Sequence, residues 1–389
     1  MINKELNIAI IGGGIGGLTA GIALQKAGFA PRIFERAPEF GEVGAGISMS
    51  PNATLGLESL GFADFLNGHA NEPLEQRLYH GETGELLQAI DRRDCRDTYK
   101  AAYCQLHRAD LLNMLIDGFG RENCAMVKSL TAIESGDDGV TLTFEDGTSE
   151  RVDVAIAADG LRSVVRDSLF DNEPPEFSGH VAWRALVPAE KLSALSVDRF
   201  NINHLGTGRN IVSYPVRGTQ LVNIVALTKA DEWAEESWNA KAEKSELAQH
   251  YEGWADYVQD LLEAIPGDEL YRWGLFVRKP LDTWISGRTA LLGDAAHPML
   301  PYMGQGASCA IEDGVILGRA FTAANTPDEA LKIYRDTRIE RASLLQRESN
   351  LGGERLQAIN PDAFRDTPIK NEDSLGIFAY DPVTVPLVV

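Results

Sequence analysis

Three glycines near the start of the chain have the spacing of a loop that holds phosphate between a strand and a helix. Gly12, Gly14 and Gly17 form G-x-G-x-x-G directly after a β-branched run at 8–11, and small and apolar residues suited to a helix follow. In such a loop the first glycine allows a tight turn, the second lets a pyrophosphate approach the backbone, and the third lets helix and strand pack closely. The phosphates would lie at the helix N-terminus, where free N–H groups and the helix dipole favour negative charge.

An acidic residue farther along the chain fits the same site. Glu35 ends the next strand-like run, at 31–34, about where a carboxylate is needed to bind a ribose hydroxyl. The strand, the glycine loop, the helix and this acid together predict that the chain binds an adenine dinucleotide. The alternative is a glycine-rich packing turn that binds nothing.

Two further strand ends carry residues that could bind a ligand. One buried strand-like run leads into an Asp159-Gly160 turn, and a later one leads into Gly293-Asp294. Ligands of parallel α/β sheets gather at the carboxyl ends of the strands, so the first turn could contact a second phosphate or a nicotinamide, and Asp294 could bind a polyol hydroxyl. A helix that begins near Ala307 would offer its N–H groups to a charged ring edge.

The elements that must position these residues predict an α/β protein with two interlocked lobes. A Rossmann-like dinucleotide-binding domain with a parallel sheet is expected over 1–72, 100–173 and 286–389, including the C-terminal helices. Strand-like pieces dominate 174–285, so an inserted antiparallel-sheet domain for the substrate is expected there and over 73–99, which contains a hairpin pattern.

The segments expected between the strands differ in length and character. A loop at 39–52 with Gly41, Gly44, Gly46 and Pro51 can lie close against a ligand. The expected helices are a short one over 53–66, one over 307–321, a long one over 328–357, and one or two acidic helices carrying Trp233, Trp238 and Trp254 over 231–265. Residues 360–389 are irregular and predict no function.

Composition argues against several kinds of partner. The net charge of −21 over 389 residues disfavours nucleic acid and anionic membrane surfaces. The chain lacks a run of about 18 apolar residues that could cross a membrane, and its N-terminus lacks the apolar core of a signal peptide. Four scattered cysteines suit free thiols in a reducing compartment, so a cytoplasmic location is expected, and no metal site is predicted.

Three motifs in this order resemble those of the single-component flavoprotein aromatic hydroxylases. They are G-G-G-I-G-G followed by Glu35, A-A-D-G-L-R-S-V-V-R at 157–166, and L-L-G-D-A-A-H-P-M-L-P-Y-M-G-Q-G at 291–306. The resemblance covers nearly the whole chain and is closest to salicylate hydroxylase, 3-hydroxybenzoate 6-hydroxylase and 6-hydroxynicotinate 3-monooxygenase. It implies a para-hydroxybenzoate hydroxylase-like fold, bound FAD, and NAD(P)H as a co-substrate without a domain of its own, which agrees with the single glycine fingerprint.

The resemblance assigns individual residues to parts of FAD. The glycine loop and Glu35 would hold the ADP part, Asp294 would bind the ribityl chain, and the loop 301–307 would lie along the isoalloxazine. The complete set predicted to bind the cofactor is Gly12, Gly14, Gly17, Glu35, Arg36, Arg108, Asp159, Gly160, Asp294, Pro301, Gly304, Gly306 and Ala307.

The implied reaction is an O2- and NAD(P)H-dependent hydroxylation of a small phenolic or hydroxypyridine-type aromatic acid through a flavin C4a-hydroperoxide, as in aromatic compound catabolism. A phenol is a better nucleophile when its proton is partly withdrawn, so a hydrogen-bonding Tyr or His is expected over the ring. The catalytic candidates are Tyr214, Tyr302 and His297; core packing is the alternative for Tyr214, and a structural loop role for His297. The residues predicted to bind the substrate are Ser48, Trp183, Arg184, Tyr214, Pro301 and Tyr302.

Two other classes of function stay open at this point. A flavin-dependent oxidase or dehydrogenase would have its FAD reduced by the substrate without NAD(P)H. A non-catalytic dinucleotide-binding regulator would show no turnover. The oligomeric state is expected to be a monomer or a homodimer.

Overall fold

The computed structural model of the chain describes residues 2–41, 45–192, 199–233, 240–267, 269–357, 360–365 and 370–389. Within these residues the strands, in chain order, are β1 (Ile8–Ile11), β2 (Arg32–Phe34), β3 (Gly46–Met49), β4 (Glu75–His80), β5 (Leu86–Asp91), β6 (Cys104–His107), β7 (Cys124–Ala125), β8 (Leu130–Gly136), β9 (Gly139–Phe144), β10 (Ser149–Val152), β11 (Val154–Ala157), β12 (Glu176–Pro188), β13 (Phe200–Gly206), β14 (Arg209–Val216), β15 (Leu221–Lys229), β16 (Ala240–Lys241), β17 (Tyr271–Val277), β18 (Ile285–Ser286) and β19 (Thr289–Leu291). The helices are α1 (Ile15–Lys26), α2 (Pro51–Ser59), α3 (Ala63–His69), α4 (Cys95–Tyr99), α5 (Arg108–Phe119), α6 (Val164–Leu169), α7 (Lys244–His250), α8 (Asp256–Ala264), α9 (Gly306–Ala323), α10 (Pro327–Asn350) and α11 (Gly352–Gln357).

A six-stranded sheet forms the centre of the first layer, in the order β18-β19-β11-β1-β2-β7. Its strands are parallel except β18, which runs antiparallel to β19. Strands β1 and β11 are fully buried, as expected for apolar runs covered on both faces. The carboxyl ends of β1, β11 and β19 therefore meet at one edge of the sheet, where the glycine loop, Asp159 and Asp294 follow them.

An eight-stranded sheet forms the second layer, in the order β16-β17-β12-β15-β14-β13-β4-β5. All neighbouring pairs are antiparallel except β13 with β4. The hairpin expected near the start of the chain is present as β4 and β5, and it joins this sheet. One face carries the apolar side chains of β12, β14 and β15, which pack in a common core with α7 and α8.

A two-stranded antiparallel ribbon, β3 with β6, lies against the other face of the eight-stranded sheet. Ser48 pairs with Gln105 and Gly46 pairs with His107, so these four residues share one side of the ribbon. The backbone N–H of Gly46 donates to Asn223 Oδ1 at 2.7 Å, which fixes the ribbon to β15. The segment expected as a loop at 39–52 therefore contains a strand, β3, which the ribbon brings onto the second sheet, and its Pro51 begins α2.

Some sequence expectations differ from the structure. The helix expected over 53–66 is two helices, α2 and α3, and the long helix over 328–357 ends at Asn350 and restarts as α11. The acidic helices expected over 231–265 are α7 and α8 in their described part, whereas Trp238, like Gly44 of the earlier loop, lies outside the described residues. Among the described residues, no helix combines the length and apolar character needed to span a membrane.

Candidate active site

The glycine loop joins the buried strand β1 to helix α1. Gly12 has φ +102°, and a Cβ there would lie 2.4 Å from the carbonyl oxygen of Ala158. A Cβ at Gly17 would lie 2.1 Å from the carbonyl oxygen of Gly12, whereas one at Gly14 would meet no described atom within 4 Å. Gly12 and Gly17 are therefore needed to close the turn, whereas Gly14 leaves open backbone at the helix N-terminus. The loop fits a pyrophosphate.

Glu35 is held against this loop. Its Oε2 accepts the backbone N–H of Gly13 at 2.7 Å, and its Oε1 accepts the backbone N–H of Ala37 at 2.9 Å. A carboxylate has about four acceptor positions, so each oxygen can accept a further hydrogen bond from a ribose hydroxyl. Arg36 beside it is exposed.

The turn after β11 begins with a hydrogen-bonded aspartate. Asp159 Oδ1 accepts the Ser163 hydroxyl at 2.6 Å, and Oδ2 accepts the backbone N–H of Val165 at 3.3 Å. Burial raises the pKa of Asp159 in spite of these hydrogen bonds. The carboxylate fixes the start of α6, while Gly160, with φ +83° and no described atom within 4 Å of a Cβ, is the open position of the turn.

Asp294 follows β19 and is exposed to solvent, although its neighbours in the turn are buried. The surrounding protein raises the pKa of its carboxyl, and the positive charges of His297 and Arg108 act against that rise. Arg108 is the first residue of α5, and its backbone N–H donates to the carbonyl of Ala45 at 2.8 Å. The structure thus brings Arg108 and Asp294 into one electrostatic environment.

The loop 301–306 leads into α9 and lies beside the β3–β6 ribbon. Pro301 and Gly304 are exposed, and Gly306 and Ala307 at the start of α9 are half-buried. The Cβ direction of Gly304 points to the Cβ of Ser48 at 3.8 Å. The predicted flavin loop and the predicted substrate-binding Ser48 are therefore neighbours.

Tyr214 lies on the ribbon side of the eight-stranded sheet. It is buried, and a Cβ on Gly46 would lie 2.6 Å from its Cε2. Burial raises the pKa of its phenol above the ordinary value, and a hydrogen bond with Ser48 and the charge of Arg184 oppose this rise. The structure therefore brings Tyr214, Ser48 and Arg184 together, with the Arg184 guanidinium 5.1 Å from the ring centre of Trp273.

Sequence reasoning missed three polar residues in β6 or next to it, on the side of the sheet where Tyr214 lies. The Tyr103 hydroxyl accepts Asn201 Nδ2 at 3.0 Å, and burial raises the pKa of this phenol also. Gln105 is fully buried, and its amide has no hydrogen-bond partner among the described residues. Burial and the charge of Arg217 lower the pKa of the adjacent His107, so its imidazole is neutral at pH 7. The signal was present as the alternation Y-C-Q-L-H at 103–107, a period-two pattern with polar residues on one side.

Trp183 is not part of this group. Arg184 and Trp183 are successive residues of β12, so their side chains leave opposite faces of the sheet. Trp183 lies in the core under α7 and α8, where its Nε1 donates to Thr228 Oγ1 at 2.9 Å.

Tyr302 packs into α11. A Cβ on Gly352 would lie 2.3 Å from the Cβ of Tyr302, and the ring lies edge-on to His180 with centroids 5.7 Å apart. Burial raises the pKa of Tyr302, and Gln357 opposes the rise. The ring is thus fixed between α11 and the second sheet.

His297 is buried in an ion pair. Its Nε2 lies 2.6 Å from Asp313 Oδ2 and 3.8 Å from Cys309 Sγ. Burial opposes a charged imidazole, but Cys309 and Asp313 raise the pKa of His297 well above its ordinary value. The side chain faces the interior, where it supports the turn that carries Asp294.

Comparisons with known proteins agree with this geometry. Residues 5–349 match a family model described as an FAD binding domain. The chain is 36% identical to 3-amino-4-hydroxybenzoate 2-monooxygenase of Streptomyces platensis, over 97% of this chain and 96% of that protein. It is 35% identical to 6-hydroxynicotinate 3-monooxygenase of Pseudomonas fluorescens, over 100% of this chain and 98% of that protein.

Solved structures are similar along the whole chain. A salicylate hydroxylase substrate complex superimposes with a TM-score of 0.83 at 28% identity, covering 97% of this chain and 96% of the other. Klebsiella pneumoniae HpxO complexed with FAD and uric acid superimposes with a TM-score of 0.85 at 26% identity, covering 96% of each chain. The glycine loop, Glu35 and Asp294 therefore lie in a fold that binds FAD in a relative.

Proposed function

The chain belongs to the FAD-binding-domain family of aromatic-ring monooxygenases, and from this premise we propose that it hydroxylates a small phenolic or hydroxypyridine-type aromatic acid with O2 and NAD(P)H. The observation that carries the proposal is the fit of the glycine loop, Glu35 and the exposed Asp294 to FAD at one edge of the parallel sheet. Two relatives, named for monooxygenation of an aminohydroxybenzoate and of a hydroxynicotinate, support this class of substrate.

In this proposal the glycine loop and Glu35 hold the ADP part of FAD. Arg108, Asp294 and the loop 301–307 hold the remainder. When bound and reduced by NAD(P)H, FAD supplies the activation of O2 and the transfer of one oxygen atom to the ring. Residues 1–72, 100–173 and 286–389 form the FAD-binding domain, and residues 73–99 and 174–285 form the substrate-binding domain.

The chain's own residues bind and orient the aromatic acid. An anionic substrate needs a local positive charge, because the chain as a whole carries a net charge of −21. Arg184 supplies that charge. Tyr214 donates a hydrogen bond to a phenol oxygen or carboxylate of the substrate, and Ser48 holds the Tyr214 hydroxyl. The eight-stranded sheet and the β3–β6 ribbon against it keep water away from the reacting atoms, which an oxygen-transfer reaction requires.

The proposal is tested by loading and turnover of the purified protein. Heat-released cofactor should be FAD, one per chain, and a panel of hydroxybenzoates and hydroxypyridine carboxylates should contain a compound that stimulates NADH or NADPH oxidation. Reduction of the bound FAD by a substrate without NAD(P)H would indicate an oxidase or dehydrogenase. FAD binding without turnover on any member of the panel would favour a regulator.

A further inference from the structure

A buried chain of polar contacts starts at the turn that carries Asp294. The backbone N–H of Gly293 donates to Asp313 Oδ2 at 3.0 Å, and His297 Nε2 lies 2.6 Å from the same oxygen. Both side chains are essentially inaccessible, at 0% exposure for Asp313 and 1% for His297. A carboxylate of α9 therefore holds the turn from the protein interior, on the side opposite to solvent.

Arg338 of α10 connects this carboxylate to its neighbour in sequence. Its Nε donates to Asp313 Oδ1 at 2.8 Å, and its Nη1 lies 2.6 Å from Glu312 Oε2. Burial works against all three charges, but His297 and Arg338 hold the pKa of Asp313 down to about 2, and Arg341 and Arg338 lower the pKa of Glu312. The two carboxylates in turn raise the pKa of Arg338. One planar guanidinium thus spans two adjacent carboxylates, which a point-like ammonium group cannot do.

The chain of contacts continues from Glu312 to the loop 301–306. Glu312 Oε1 accepts Asn52 Nδ2 at 2.6 Å, and Asn52 Nδ2 also lies 3.4 Å from Gln305 Oε1. Gln305 Nε2 then donates to the backbone carbonyl of Met303 at 3.2 Å. The path therefore begins on the backbone of one loop and ends on the backbone of the other.

The energetics favour a geometric role for this path over a stabilising one. Buried ion pairs cost desolvation energy, and their replacement by apolar residues is often neutral or stabilising.

The cluster of His297, Cys309 and Asp313 also has metal-ligating residue types. Arg338, whose Nη2 lies 3.2 Å from Cys309 Sγ, already supplies the positive charge there.

We propose that Arg338 is a positioning residue for FAD, which fixes the Asp294 turn and the loop 301–306 relative to each other through Asp313, Glu312, Asn52 and Gln305. The proposal rests on the proposed function, because it takes these two loops to contact the cofactor. Arg338 itself is fully buried and acts only through the loops.

The decisive variant is Arg338→Lys, which keeps the positive charge and removes the planar guanidinium that spans the two carboxylates. FAD titration of the apoprotein should show an affinity about ten- to a hundredfold weaker than wild type, since a lysine cannot hold both Asp313 and Glu312 and one of these charged contacts is lost. The rise in melting temperature on adding FAD should shrink accordingly, because that rise depends on the FAD dissociation constant. Arg347→Lys, on the exposed part of the same helix, should leave both quantities unchanged.

A merely structural role would have a different signature. Arg338→Lys would then lower the melting temperature of the apoprotein while the FAD affinity and the FAD-dependent rise stayed as in wild type, and this result would overturn the proposal. If Arg338→Lys does not fold without FAD, Asn52→Ala interrupts the path without removing a charge; it should weaken FAD binding, and an unchanged affinity would overturn the proposal. Absence of FAD binding by the wild-type protein would instead refute the proposed function.

Discussion

At the scale of single residues, the environment of Tyr214 favours the proposed role of hydrogen-bond donor over that of a base. Burial raises the pKa of its phenol, and Ser48 offsets only part of that rise. Tyr103 and Tyr302 are shifted in the same direction by burial. A phenol that stays protonated at neutral pH can donate to a substrate oxygen but cannot remove a proton. The role proposed for Tyr214 is therefore orientation and polarisation of the substrate.

Replacing Tyr214 with Phe removes only this donor. We expect FAD binding and folding to be unchanged, kcat/KM for the aromatic acid to fall by about tenfold, equivalent to about 1.4 kcal/mol, and a larger share of NAD(P)H to end as H2O2. The pH profile should keep its shape, because the phenol does not titrate in the working range. Steady-state kinetics with peroxide quantification provide the measurement.

The opposite face of the same sheet offers a matched control for this change. Tyr79 stacks on His204 with ring centroids 5.2 Å apart, on the side away from the ribbon. Tyr79→Phe should leave coupling and kcat/KM at wild-type values. If Tyr214→Phe behaves in the same way as Tyr79→Phe, Tyr214 is core packing and does not bind the substrate.

The residues of the glycine loop could be predicted from sequence because their roles depend on neighbours close in the chain. Gly12, Gly17 and the strand before them form one local unit: Gly12 has φ +102°, and a Cβ on Gly17 would lie 2.1 Å from the carbonyl oxygen of Gly12. The alternation at 103–107 indicates polar residues on one side of a strand, but it does not identify their partners. The Tyr103 hydroxyl meets Asn201, 98 residues farther along the chain, only in the tertiary structure, which no local pattern encodes.

At the scale of elements, the strand–loop–helix unit separates two functions of glycine. At Gly17 a side chain would strike the backbone of Gly12 at 2.1 Å, whereas Gly14 has no described atom within 4 Å of a Cβ. Gly14 has φ −75°, a value that alanine adopts freely. Gly17 is thus constrained by packing, and Gly14 only by a ligand that approaches the helix N-terminus.

Alanine substitutions should distinguish these constraints. Gly17→Ala is expected to lower the melting temperature of the apoprotein, because the backbone has to move. Gly14→Ala should leave the apoprotein as stable as wild type and weaken FAD binding by about tenfold or more, since the added methyl group lies where a pyrophosphate approaches. Thermal melts and FAD titrations check both; unaltered FAD affinity in Gly14→Ala would argue for a packing turn.

Strand β13 shows why one element escaped sequence analysis. Its residues Asn201, Asn203 and His204 give a polar pattern that does not read as a buried strand. In the structure they are buried, and Asn203 Oδ1 accepts Asn210 Nδ2 from β14 at 3.0 Å. Tertiary hydrogen bonds therefore engage Asn201 Nδ2 and Asn203 Oδ1, which sequence patterns would place in a loop.

At the scale of the whole molecule, the C-terminal segment is a structural part of the site. Phe378 is buried and stacks on Tyr103 with ring centroids 5.6 Å apart. Arg319 of α9 donates to the carbonyl oxygens of Pro382 at 2.8 Å and Val385 at 2.7 Å. Residues 360–389 predicted no function from sequence, because the contacts that give residues 370–389 their place are tertiary, with residues such as Tyr103 and Arg319 that lie far away in the chain. Through Phe378 they pack against Tyr103, the residue that precedes β6 of the ribbon.

The whole-molecule arrangement has a single chemical consequence that can be measured. If the parallel sheet holds FAD and the second sheet holds an aromatic acid over it, one atom of O2 must end in the hydroxylated product, and the electrons from NAD(P)H must reduce the other atom to water. An oxidase or dehydrogenase would remove hydrogen from the substrate, and any oxygen in its product would come from water.

Turnover under ¹⁸O2 with the aromatic acid that best stimulates NAD(P)H oxidation tests this consequence directly. Mass spectrometry should find one ¹⁸O atom in the hydroxylated product, with one NAD(P)H consumed for each product formed in the fully coupled reaction. A product without ¹⁸O, or substrate oxidation that proceeds without NAD(P)H, would contradict the assignment of the chain as a monooxygenase.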